Sequence, residues 1–555
     1  MRIKYILILS VCVAAISFEG CKKDIKPIVE PPPPNPGINY TIPTYADDYS
    51  SIASWSSRNK WNLANVHDPS VAYYNGYYYM YGTDASYGNE AVGHGHFQGK
   101  RSTDLVNWEW VGGPFYAAPS WVADSLNAIR SRMGLAAIVK ENIVYDFWAP
   151  VVRRVNVGGK DILRMYYSIV VDNYIKTGNA NTPANFDGSW SERAFIGMCE
   201  STDPVGAAWT DKGFVTCSSS DRGKNYNRTG LSDWSAYFYY NAIDPTFIVT
   251  PEGKHYLIHG SWHSGFALLQ LDATTGKPLK PLGEPYANSA SELSARYGLR
   301  IGTRTAGSRW QGSEAPEIIY KDGFYYLFMA YDGLDIPYNT RVVRSANIEG
   351  PYLDITGRNF TSGSGDCYPI VTHPYKFNLS NGWVGISHCC IFQKESTNEW
   401  FYMSQGRLPV NVGGNAYSNA IMMGNVRRIV WCPASSGEPD NLWPIALPER
   451  YAAVPDYGTI TKDSLAGTWE HINLKYTYGQ QDGAAALTLK ADGTLSGALT
   501  GNWSYNATKK QLTMGQIIVC VEREVDWEAN PRHVTFVYAG TEKNLNATYW
   551  GKKTK

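Results

Sequence analysis

Three short runs in this chain carry acids in the same setting: His67-Asp68-Pro69-Ser70, Asn241-Ala242-Ile243-Asp244-Pro245 and Glu314-Ala315-Pro316-Glu317. Each puts a carboxylate at the mouth of an apolar run, or one residue before it, and each run leads through a Gly-containing turn into a Tyr-rich run. Carboxylates grouped in this way suit acid–base hydrolysis of an acetal. With inversion, one carboxylate activates a water while a carboxylic acid across the sugar protonates the leaving oxygen, the two standing about 6.5–9.5 Å apart. An acid that must stay protonated near neutral pH needs a raised pKa, and a neighbouring carboxylate supplies it by like-charge repulsion. Three acids in one place provide all three parts and leave the roles open. A single Asp-Pro, such as Asp203-Pro204, has a plainer explanation, because Asp accepts backbone hydrogen bonds and Pro fixes φ in a turn. The chemical reading therefore depends on a scaffold that brings the three together.

That scaffold is a repeat. Residues 68–83, 149–169, 244–262, 315–333 and 388–407 each read as an apolar run, a polar turn and a second run rich in Tyr and Phe. This is a β-hairpin written five times. The starts are roughly eighty residues apart, which leaves space for two more strands per unit. Residues 101–115, 199–215 and 344–358 look like those outer strands. Four strands per unit, repeated radially, predict an all-β fold built on a five-bladed β-propeller. A β-sandwich lacks so long a period and a parallel β-helix repeats much faster. The first strand of each blade lines the central axis, so Asp68, Trp148, Asp244, Glu314 and His388, at matching positions or offset by one, ring a common funnel. The one helix of any length expected is an insertion over 121–139.

At 555 residues the chain exceeds one ordinary core. The propeller is expected over 40–455, followed over 460–555 by a small antiparallel β-barrel or sandwich with turns at Asp492-Gly493 and Asn506-Ala507. No acid pair or metal spacing is visible in that second domain, whose expected role is to stabilise the propeller. Lys+Arg 50 against Asp+Glu 50 gives no net charge, which argues against nucleic acid or an anionic membrane surface and for a neutral ligand. Trp 19 and Tyr 40 are mostly strand formers, although aromatic faces also bind sugar rings.

Residues 1–21 read as a signal peptide: Met1-Arg2-Ile3-Lys4 is the charged region and 5–18 an apolar stretch too short to span a bilayer. It ends at Phe18-Glu19-Gly20-Cys21, which resembles a bacterial lipoprotein processing site with Cys21 as the lipidated residue. Residues 22–39, with Pro31 to Pro34 consecutive, form a stiff spacer. The protein is thus expected outside the cytoplasm, lipid-anchored to the cell envelope. The seven cysteines beyond residue 21 show no zinc spacing and, being odd in number, no disulfide framework.

The blade openings resemble those of glycoside hydrolase family 43. The fuller set, HDPS (67–70), FWAP (147–150), NAIDP (241–245), GSWHSG (260–265) and EAPEI (314–318), is similar to that of its two-domain endo-α-1,5-L-arabinanases. The resemblance implies a monomeric inverting hydrolase of arabinan with Asp68 as general base, Glu314 as general acid and Asp244 tuning and orienting the acid. It implies substrate contacts at Trp148, Asn241, Trp262 and Gly265, and a mostly water-held Ca²⁺ touched by His388. Glu317 is the rival acid, set aside because strand alternation puts it on the opposite face from Glu314. Two departures, Val151 after FWAP and His263 after Trp262, are expected to line substrate subsites. The alternatives are an exo-acting arabinofuranosidase or xylosidase of the same fold, and a non-catalytic glycan-binding surface lipoprotein.

Overall fold

The computed structural model describes residues 40–45, 52–84, 95–171, 192–206, 208–224 and 238–554. The signal peptide, Cys21 and the proline-rich spacer lie outside the described residues. Five four-stranded antiparallel sheets follow one another along the chain, each a meander in chain order. Their first strands are Ser70–Tyr74, Tyr145–Val157, Thr246–Val249, Ser313–Lys321 and Cys390–Lys394. These touch one another in succession, and the fifth returns to the first. A closed ring of five inner strands is a five-bladed β-propeller, as the repeat predicts. Val66 N donates to Met422 O and Gly424 N to Leu63 O, so the segment leading into blade 1 closes the ring against blade 5.

The hairpins form where the turns suit them. Asn75-Gly76, Gly158-Gly159 and Asp322-Gly323 have both residues at positive φ, the turn geometry whose twist matches that of the flanking strands. Blades pack face to face, so a strand such as Phe324–Tyr331 is buried almost throughout and reads as a continuous apolar run. Two expectations need correction. The outer strand of blade 4 is Ile370–Thr372 and not part of 344–358. A second helix, Ala290–Tyr297, accompanies Ser120–Met133.

Beyond the fifth blade, eight strands close into a barrel, Gly467–Leu474 pairing with both Ala485–Leu489 and Ala547–Lys553. Trp469, Leu487, Leu512, Val519 and Tyr538 fill its interior, which makes it a packed core. It docks on the propeller through a short parallel pairing of Tyr375–Lys376 with Asp482–Gly483. An acid cluster, unexpected from sequence, forms at this seam: carboxylate oxygens of Glu449, Asp526 and Glu528 lie within 4.8 Å of one another. Spacing could not reveal it, because Glu449 comes from the propeller's tail. Its cation is internal: Lys552 Nζ stands 3.1, 2.8 and 2.5 Å from the three carboxylates. The seven described cysteines are all buried and free.

Candidate active site

Asp68, Ala149, Asp244, Ala315 and His388 have φ of 48°, 39°, 52°, 55° and 54°. They are the starting residues of the five repeats, so each blade carries one left-handed residue near the start of its inner strand, just before it in blades 1, 3 and 5 and at its bulge in blades 2 and 4. Such a conformation is uncommon outside glycine, and several at one site mark backbone held by its surroundings. Pro follows in the first four blades and Cys389 in the fifth. Glu314 and Trp148 are offset by one, sharing the preceding position with His67, Ile243 and Ser387.

Asp68 and Asp244 are each held by a hydroxyl from their own blade. Thr83 Oγ1 donates to Asp68 Oδ2 at 2.6 Å, and Ser261 Oγ to Asp244 Oδ2 at 2.5 Å. Both hydroxyls stand two residues past the second strand, after Gly82 and Gly260. Those glycines are needed for close approach: a Cβ would fall 2.3 Å from His67 O at Gly82 and 2.5 Å from Gly265 O at Gly260. Asp68 also meets His388 Nδ1 at 2.8 Å and His67 Nε2 at 3.4 Å, while its backbone N–H donates to Gln405 Oε1 at 2.7 Å. Burial alone would raise its pKa, but His388, His67 and the Thr83 hydrogen bond hold the carboxyl well below the ordinary range.

Glu314 has the opposite environment. Its Oε1 accepts from the Tyr338 hydroxyl at 2.5 Å and its Oε2 from Trp262 Nε1. Burial first, then the charge of Asp244, pushes its carboxyl up to about 8 against the Tyr338 hydrogen bond. Asp244 is itself raised, by burial and by Asp68, against the opposing charge of His388. The Asp244 and Glu314 segments are linked directly, since Ala315 N donates to Asp244 Oδ2 at 3.3 Å and to Ser261 Oγ at 3.2 Å. The funnel thus holds one carboxylate kept ionised and one kept protonated.

Trp148 is 39% exposed at the mouth. Trp262 pairs with Trp310, ring centroids 4.6 Å apart, and Trp310 is 45% exposed, so the acid sits beside a two-indole wall. Asn241 is buried, its Oδ1 accepting from Ser218 Oγ at 2.9 Å. Gly265 is a close-packing position, φ 103°, where a Cβ would fall 2.0 Å from Gly302 O.

Three expectations fail for local reasons. Val151 does not line a subsite: a bulge follows Trp148, and Val151 is buried in the core shared by the first three blades. His263 is buried as well, its ring 6.0 Å from Phe238, and burial with Arg309 lowers its pKa to about 3. Glu317 is not on the opposite face, because a bulge between it and Glu314 pairs them with Phe328 and Ala330, two residues apart on the next strand. It lies deeper on the axis, where Oε1 takes Arg153 Nη2 at 2.5 Å and Ile391 N at 3.0 Å, and Oε2 takes Thr246 Oγ1 at 2.6 Å. Arg153 Nη1 also reaches Ser70 Oγ at 3.2 Å. All five blades meet in this layer, which forms the floor of the funnel.

His388 is half-buried between the acids, and against the desolvation of its ring their charges, Asp68 foremost, raise its pKa to about 9. With Nδ1–H on Asp68, Nε2 is the ring nitrogen left to meet an ion, and it can do so only when the incoming cation displaces its proton. A Ca²⁺ ion prefers six to eight oxygen ligands, so this donor set suits a hydrated cation touched at one point and not a protein-built cage.

The residues missed in the sequence are Thr83, Ser261, Tyr338, Trp310 and Gln405. Gly82-Thr83 and Gly260-Ser261, each a Gly followed by a hydroxyl residue just past the second run of hairpins 1 and 3, could have revealed the first two. Tyr338 carries no such signal, since it precedes the third strand of blade 4, Asn339–Ser345.

A five-bladed propeller whose mouth gathers three carboxylates in contrasting protonation states defines a glycoside hydrolase. The chain belongs to glycosyl hydrolases family 43, whose model matches residues 63–419, and a C-terminal lipocalin-like domain associated with that family matches residues 448–551. An extracellular endo-α-(1→5)-L-arabinanase of Thermotoga petrophila is 25% identical over 462 residues, covering 79% of this chain and 82% of the relative. An extracellular endo-α-(1→5)-L-arabinanase 1 of Bacillus subtilis is 28% identical over 311 residues, covering 55% of this chain and 73% of the relative. The crystal structure of an endo-1,5-α-L-arabinanase from Thermotoga petrophila superposes with a TM-score of 0.63 at 22% identity, covering 89% of this chain and 99% of that one, and shares the fold.

Proposed function

We propose that this protein is an inverting endo-acting hydrolase of α-1,5-linked L-arabinan. The observation that carries the reading is the contrast between Asp68, held ionised, and Glu314, held protonated up to about 8, at the mouth of one funnel. Environments that push the pKa values of two acids apart assign the base and the acid. Asp68 takes a proton from a water as its oxygen attacks the anomeric carbon. The C–O bond to the leaving sugar breaks, and Glu314 gives its proton to that oxygen. Trp262 Nε1 and the Tyr338 hydroxyl then stabilise the Glu314 carboxylate that forms. Asp244 keeps the Glu314 proton in place until that moment by its charge. Trp148 and the Trp262–Trp310 pair offer apolar faces to arabinose rings at the mouth.

The arabinan substrate is argued from the relatives, extracellular endo-α-(1→5)-L-arabinanases most of whose length this chain covers. That the relatives are extracellular also supports export, here with anchoring through Cys21. A hydrated Ca²⁺ beside His388 would supply positive charge to the acid cluster. Treatment with EDTA is expected to lower activity or thermal stability, restored by Ca²⁺, and no change in either refutes it.

The decisive experiment is incubation with linear arabinan, with product sizes read by chromatography and product anomer by NMR. Mixed oligosaccharides of inverted configuration are expected. Monosaccharide alone from the start refutes endo action, and retained configuration refutes the roles of Asp68 and Glu314.

A further inference from the structure

The barrel reaches the acid. Between its strand Gly467–Leu474 and Asp482–Gly483 runs a loop that is clamped to the propeller. Asp482 N donates to Pro374 O at 2.9 Å, and Gln481 Nε2 to Tyr375 O at 3.0 Å and Asn381 O at 3.1 Å. From this seat the Tyr476 hydroxyl donates to Asp332 Oδ2 at 2.7 Å. Asp332 is the hub of two further links. Arg304 Nη1 bridges Asp332 Oδ1 at 2.8 Å and Gly312 O at 2.6 Å, and Asp332 N donates to the same Gly312 O at 2.9 Å. Gly312 lies two residues before Glu314. On the other side Asn339 Nδ2 touches Asp332 Oδ2 at 3.3 Å and Pro337 O at 2.9 Å, fixing the backbone that carries Tyr338. Asp332 and Asn339 are buried.

We propose that Tyr476 of the barrel is a positioning residue for the proton donor, bracing through Asp332 both the segment that carries Glu314 and the segment that carries its hydrogen-bond partner Tyr338. The proposal rests on the reading of Glu314 as the general acid. The barrel then contributes to catalysis by setting the direction in which the Glu314 carboxyl faces the leaving oxygen, while touching no substrate itself. Tyr476→Phe keeps the ring beneath Arg304 and Arg341 and removes the hydroxyl with its two hydrogen bonds, the one it donates to Asp332 Oδ2 and the one it accepts from Arg304 Nη2 at 3.2 Å.

The test compares wild type, Tyr476→Phe and Asp332→Asn on linear arabinan and on a 2,4-dinitrophenyl arabino-oligosaccharide, whose phenolate departs without protonation. Misplacing a proton donor by a fraction of an ångström is expected to cut kcat on arabinan about tenfold, with KM unchanged, and kcat on the activated substrate by less than about twofold. Equal proportional losses on both substrates, as a merely structural role gives, overturn the proposal, and so does an unchanged kcat on arabinan. Should Tyr476→Phe fail to fold, Asp332→Asn is read by the same criteria. Glu314→Ala separates the two levels. If it does not itself spare the activated substrate, the acid reading fails and the proposal with it. If it does while both other variants lose the two substrates alike, only the link to the barrel fails.

Discussion

Replacing Glu314 with Gln is expected to stabilise the protein while abolishing its chemistry, and the stabilisation carries a pH signature. The Glu314 carboxyl rises from 4.5 to about 8 on folding. The folded state therefore holds a proton that the unfolded chain releases between those values, and wild-type stability falls as pH rises through that window. Below 4.5 the group is protonated in both states and costs nothing. At 1.36 kcal/mol per pKa unit the full shift corresponds to a ceiling of roughly 5 kcal/mol. An effective dielectric near 20 and relaxation of the coupled Asp244 reduce this to about 1–3 kcal/mol. Gln carries no such penalty and fits the site: its oxygen accepts from Trp262 Nε1, and its amide donates to the Tyr338 oxygen, which turns from donor to acceptor. For a propeller of several hundred residues, about 2 kcal/mol is a rise of roughly 2–3 °C in unfolding midpoint. The assay is calorimetry of wild type and Glu314→Gln at pH 4, 6 and 8. The gap should be near zero at pH 4 and widest at pH 8. A gap independent of pH, or a variant less stable than wild type at pH 8, refutes the burial argument.

Further outcomes follow from the same geometry. Activity on arabinan should fall about tenfold per pH unit above about 8, as Glu314 loses its proton, and this limb should be missing with a leaving group that needs no acid. Asp68→Asn should reduce turnover by about 10³-fold or more and leave arabinan binding, measured calorimetrically, nearly unchanged; full turnover in this variant sinks its role as base. Lys552→Met strands three carboxylates at the seam between propeller and barrel and should destabilise the protein by about 3–5 kcal/mol. An unchanged unfolding midpoint would show that the seam is not held by that ammonium.

The blade count was legible because each hairpin spells its own turn, and the starts chosen from sequence are the five residues that turn out to be left-handed. Their convergence was legible for the same reason: matching positions in a radial repeat share one axis. What escaped was anything that depended on strand irregularity. The bulge before Glu317 reverses the alternation on which its reading rested, the bulge after Trp148 carries Val151, placed at a subsite by its position after FWAP, into the core, and a bulge adds a residue without a local sequence mark. Tyr338 and Tyr476 escaped because their partners come from other strands and another domain. The seam cluster of Glu449, Asp526, Glu528 and Lys552 is assembled in space from separate elements.

The five left-handed residues at the blade mouths restrict the amino-acid alphabet available to the site. That conformation admits Gly, Asn, Asp and His more readily than others and is hardest on branched or bulky side chains. The positions are filled by Asp, Ala, Asp, Ala and His, so wherever polar chemistry stands on such a residue it is spelled with a short carboxylate or an imidazole. The one Glu of the trio stands a residue earlier, in the register that Trp148 occupies in blade 2, and Ala takes the left-handed place beside it. An engineer wishing to move the proton donor to another blade would therefore look to His67, Trp148, Ile243 or Ser387, and an exchange of Asp for Glu at position 68 or 244 would be opposed by the backbone before any chemistry was tested.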